Sequence, residues 1–95
     1  MYDIYVDEDI EIRAEVDKYA QVLLHMNVNG WSKSIRDKAK RLSKDTLEAL
    51  HLEGFLTAYT ITPNPKFVKL ICGGTTMDSI VFDGNNYEVI VWELD

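Results

Sequence analysis

The tetrapeptide Asp83-Gly84-Asn85-Asn86 lies between two runs rich in β-branched and aromatic residues, Ser79–Phe82 and Tyr87–Leu94. Asp, Asn and Gly enter the left-handed region at low cost, and a short turn of these residues matches the twist of the strands it joins. The segment predicts a β-hairpin, the strongest local constraint in the chain. Its return strand is apolar on both sides, since Tyr87, Val89 and Val91 alternate with Ile90, Trp92 and Leu94. A chain of 95 residues has room for one domain, with helices on one face of its sheet. The other face then needs a different cover, and a second copy of the chain is one, which makes a homodimer one expected assembly.

Upstream, Phe55–Thr62 is rich in strand formers. Thr62-Pro63-Asn64-Pro65 reads as a turn because each proline fixes φ and biases its predecessor toward extended backbone. Lys66–Cys72 reads as a further strand, with Phe67, Lys69 and Ile71 opposing Val68, Leu70 and Cys72, and residues 73–78 as a flexible loop. Tyr2–Val6 alternates with period two and predicts a short edge strand. Between about 9 and 27, Val16, Tyr19, Ala20, Leu23 and Asn27 recur at spacings of three and four, the pattern of an amphipathic helix. Ile10, Ile12 and Ala14 leave open an extended stretch before it.

A second helix is expected after Ser32 or Ser34, burying Ile35, Ala39 and Leu42. Asp45, with Glu48 three residues on, predicts the start of a third that Gly54 closes. No Gly or Pro interrupts residues 31–53, so one bent helix is the alternative. The expected architecture is α+β, two or three helices packed on a mostly antiparallel sheet of four to five strands. It forms a single domain over residues 1–95, with a helical part at about 9–53 and a strand part at about 55–94.

Residues with the chemistry for a reaction are few. His25, His51 and the lone Cys72 stand in no zinc-binding spacing. Cys72-Gly73-Gly74-Thr75-Thr76 lacks the lysine of a phosphate loop, and Asp7-Glu8-Asp9-x-Glu11 lacks the spaced oxygens and central glycine of a calcium loop. No catalytic residue, metal or cofactor is expected, and the protein is not expected to be an enzyme. One cysteine suits a reducing compartment. No apolar run approaches the roughly 20 residues of a membrane span, and the first residues are acidic where an export signal is basic. A cytoplasmic location is expected, the host's cytoplasm if the chain is phage-encoded.

Charge is distributed unevenly within a net of -6. Asp7, Glu8, Asp9 and Glu11 head an acidic first third. Residues 31–44 then carry Lys33, Arg36, Lys38, Lys40, Arg41 and Lys44 against Asp37 alone, and the remainder is acidic again. The segment Ile35-x3-Ala39-x2-Leu42-Ser43-x2-Thr46-Leu47-x2-Leu50 resembles a helix-turn-helix. That resemblance implies a DNA-binding regulator or accessory protein, with residues 32–53 on the duplex. Its cations, however, precede the helix that would enter the groove, and residues 45–53 hold acids and no Lys or Arg.

The leading expectation is therefore a small acidic protein-binding module, with direct DNA binding as the runner-up. Its partner would be another protein, one with a basic, nucleic-acid-handling surface. By analogy of size and charge, DNA-mimicking anti-restriction and anti-CRISPR inhibitors and nuclease immunity proteins work this way; a subunit of a larger assembly is a third case. The candidate contact residues are Asp7, Glu8, Asp9, Glu11, Trp31, Lys33, Arg36, Lys40, Arg41 and Trp92.

Overall fold

A computed structural model describes residues 2–94. The chain runs β1 (Tyr2–Val6), β2 (Ile10–Val16), β3 (Val22–Val28), α1 (Lys33–Leu52), β4 (Thr57–Thr62), α2 (Pro65–Cys72), β5 (Thr75–Phe82) and β6 (Asn85–Glu93). The strands form one six-stranded sheet in the order β1-β2-β3-β4-β6-β5. Only β3 and β4 are parallel, and α1 is the crossover that such a pair requires. The fold is thus α+β, two helices on a mostly antiparallel sheet, with one more strand than the sequence patterns predict.

The helix expected over 9–27 is instead the hairpin β2–β3. Ile10, Ile12 and Ala14 are buried, as period two demands, whereas Tyr19 of the supposed helical stripe is 72% exposed. Local turn chemistry decides the outcome. The Asp17 carboxylate accepts from the backbone N–H groups of Tyr19 (2.8 Å) and Gln21 (3.0 Å), and Ala20 takes a left-handed φ of 60°. An Asx turn of this kind reverses the chain where a helix would have continued.

Two further expectations change. Lys66–Cys72 belongs to a helix, because Pro65 occupies its first position, where a missing N–H costs nothing. The same apolar residues also satisfy a four-residue spacing, with Phe67 and Ile71, and Val68 and Cys72, turned to the core. Residues 75–78, expected in a loop, begin β5. The helical part thus contracts to α1, and the strand part gains α2.

Ser32 caps α1, its hydroxyl accepting from the Ile35 N–H at 3.1 Å. The junction expected at Asp45 does not form, and residues 33–52 are one helix. Within it, the hydroxyls of Ser43 and Thr46 donate to the carbonyls of Ala39 and Leu42, both at 2.7 Å. Both helices cover the same side of the sheet. Two buried clusters lie beneath them, one around Ala14, Val22, Leu50, Ala58, Ile90 and Trp92, the other around Ile10, Ile12, Ala39 and Ile71. Gly74 seats β5 against this core: a Cβ there would stand 2.5 Å from Ile90 Cγ2 and 2.9 Å from Trp92 Nε1.

Candidate functional site

The acidic segment is partly a structural device. Asp7 Oδ1 accepts from the N–H groups of Asp9 and Ile10, each at 2.8 Å, closing the β1–β2 turn. Its other oxygen accepts from the Tyr5 hydroxyl (2.6 Å) and pairs with the Lys38 ammonium of α1. Lys38 foremost, then Tyr5 and the backbone donors, hold the Asp7 carboxyl well below the usual carboxylate range. The same pairing raises Lys38. Asp9 lies 3.8 Å from that ammonium, and Glu11 takes Arg13 at 3.2 Å, which leaves Glu8 exposed.

The other basic residues of α1 remain outside this network. Lys33, Lys40, Arg41 and Lys44 are exposed on α1, and Arg36 is paired with its neighbour Asp37 at 3.4 Å. With α1 unbroken, the two-helix geometry of a helix-turn-helix is absent from residues 33–52.

The two tryptophans differ in role. Trp92 is 8% exposed, and its indole N–H donates to the Cys72 carbonyl at 2.9 Å. It is a core residue, so no surface contact is open to it. Trp31 is 52% exposed and stands edge-on to Phe67 of α2, with ring centroids 5.3 Å apart.

The sheet face whose need for a cover the β6 alternation predicted carries an exposed apolar area. On the sheet side away from the helices, the register places Tyr59 beside Val91, Ile61 beside Val89, and Ile80 beside Tyr87, with Phe82 at the end. Ile61 is 46% exposed and Phe82 69%. Asp78 and Glu93 border this area, and β4, β5 and β6 contain no Lys or Arg. The apolar alternation of β6 was the visible signal for it. Ile80 and Phe82 lie in the strand expected at Ser79–Phe82, and their pairing with β6 sets which face they share with it.

A second feature is a cleft of about 790 Å³ between β3 and β4. The two strands pair only at Val22↔Ala58 and Leu23↔Tyr59. The Thr60 hydroxyl then donates to the Leu24 carbonyl at 2.8 Å, and beyond it the strands separate. Residues 24–28 and 60–64 line the gap, together with Trp31, Phe67 and Cys72. At its closed end the Tyr59 hydroxyl donates to Asp17 at 3.2 Å. Burial, and secondarily the Asp17 charge, raises the Tyr59 phenol. Burial likewise pushes the Cys72 thiol up, and its S–H donates to Ser43 Oγ at 3.3 Å. A thiol held protonated is a poor nucleophile.

Among the described residues no group of three or more His, Cys, Asp and Glu side chains is placed to hold a metal ion, and no helix is long and apolar enough to cross a membrane. No family model, curated protein or solved structure matches the chain.

Proposed function

We propose that this protein is a non-catalytic binding module that docks on another protein through the outer face of β4, β6 and β5, and so blocks a partner that handles nucleic acid with a basic surface. The observation that carries this reading is the exposed apolar area around Ile61, Ile80 and Phe82, in strands that hold acids and no cation. Apolar area supplies the association free energy, and an acidic border selects a partner whose own border is basic and speeds its approach. A second copy suits the surface less well, because it would set one acidic border against another.

The nucleic-acid reading keeps one observation in its favour, the exposed row Lys33, Lys40 and Lys44 on α1. A single experiment separates the two. A photo-crosslinking residue at Ile80 is expected to capture a protein whose contact peptide is rich in Lys and Arg, while one at Lys40 captures none. Duplex DNA should not shift at low salt. Capture from Lys40 alone, or a DNA shift abolished by Lys40→Glu with Arg41→Glu, would move the function to α1.

A further inference from the structure

We infer that the gap between β3 and β4 is a slot that takes an extended peptide segment in the plane of the sheet, with an apolar side chain pointing inward and basic side chains pointing outward. This deepens the protein-binding reading, since it assumes a polypeptide ligand, but it concerns a different surface.

The lining residues set the geometry. Successive residues of a strand point to opposite faces, so a cavity on one face is lined by every second residue. Here Leu24, His25, Met26, Asn27 and Val28 all line the gap, as do Thr60, Ile61 and Thr62. The cavity therefore lies between the two strand edges.

Both edges have free backbone groups. Leu24 presents its carbonyl to Thr60, so its peptide groups face β4. Alternation along the strand turns those of Met26 and Val28 the same way. In the parallel ladder, Val22 and Leu24 bond to the residue between them on the partner, Tyr59, and alternation then turns Ile61 toward β3. The pairing stops at Leu23↔Tyr59, so Met26, Val28 and Ile61 have no strand across the gap. An inserted strand would pair with both walls, which is strand addition performed on two edges at once.

Its side chains meet two different environments. On the helix side stand Met26, Phe67 and Trp31, an apolar seat for one side chain. On the outer side, His25 and Asn27 are backed by Glu15 (3.6 Å) and Glu11 (3.4 Å). Arg13, the cation of that strand face, is already shared by Asp3 and Glu11. The outer rim is therefore acidic and complements Lys or Arg.

The test is amide hydrogen exchange on the intact protein, followed residue by residue by NMR. The probe is the blocked peptide acetyl-Lys-Val-Lys-Val-Lys-amide at millimolar concentration. Without peptide, the amides of Met26, Val28 and Ile61 should exchange at least about tenfold faster than that of Val22, as expected of unpaired strand groups. With peptide they should slow by at least about tenfold. A peptide methylated on both valine nitrogens, or one with Glu for Lys, should give no protection. The inference is overturned if those amides are already as slow as Val22 in the free protein. It is equally overturned if the lysine peptide protects none of them, or if the methylated peptide protects them as well. Phe82→Asp should leave this protection unchanged while ending crosslinked capture at the sheet face, so failure of one reading is seen apart from failure of the other.

Discussion

The outer face of the sheet has two halves that meet the same solvent by opposite means. On β1, β2 and β3 it is polar and carries its own counter-charges: Arg13 lies 2.9 Å from Asp3 and 3.2 Å from Glu11, and His25 lies 3.6 Å from Glu15. On β4, β6 and β5 it is apolar, and none of the ion pairs among the described residues involves those strands. One half sets its charges beside one another; the other leaves Ile61, Ile80 and Phe82 in water. The contrast separates two kinds of contact: the apolar half gains by burying area, the charged half by exchanging the counter-charges of its acids.

The largest effect should come from breaking the support beneath the apolar half. Ile90 is fully buried on the helix side of β6, and Ile90→Ala should lower stability by about 2–5 kcal/mol, from lost burial and the cavity left behind. A denaturant titration checks this. A loss below about 1 kcal/mol would mean that β6 is not the core strand described.

A smaller effect, distinguished by its pH dependence, belongs to the polar side. Asp7 has a folded-state pKa below its ordinary 3.8, so its contribution is complete above that value and disappears as pH falls through the lower, folded one. Lys38, raised above 10.5, contributes at neutral pH and loses its contribution only as pH rises through its folded value. Asp7→Asn should therefore destabilise at pH 7 and bring mutant and parent together at low pH. A constant difference between thermal midpoints from pH 7 to pH 2 would show that the carboxylate charge is not the cause.

Smaller still is Arg13→Ala. Its pairs are solvent-exposed, and about 0–1 kcal/mol is expected, shrinking as salt is added. Smallest of all is Phe82→Ser, which should leave stability within about 0.5 kcal/mol while removing partner capture. If Phe82→Ser instead unfolds the chain, the exposed face is structural and the comparison between the halves collapses.

Part of the fold was legible in the sequence. The strand at Tyr2–Val6, the hairpin at Asp83-Gly84, a strand within Phe55–Thr62 and a serine cap at 32 or 34 all depend on local rules, and the structure has each of them, with the cap at Ser32 and a bulge between Asp3 and Tyr5 that breaks the alternation of β1. The segment 10–28 was misleading because Val16, Leu23 and Asn27 fit helical spacing, while the residue that reverses the chain, Asp17, acts through its own backbone. Residues 65–72 satisfied both periods, and Pro65 was the deciding residue. At the site, the exposed faces of Trp31 and the basic helix were readable. The slot was not, because it depends on where two strands from distant parts of the chain stop pairing.

That short parallel seam also bears on how the chain assembles. The meander β1–β2–β3 and the hairpin β5–β6 are closed by turns of a few residues, so each can begin to form by itself. The seam joins residues such as Leu24 and Thr60, 36 positions apart, with two residue pairs to reward the closure. Loop entropy must be met before those pairs form. Joining the two sheet halves across β3 and β4 is thus the entropically expensive event of folding, and α1 is the tether whose docking brings the distant edges within reach.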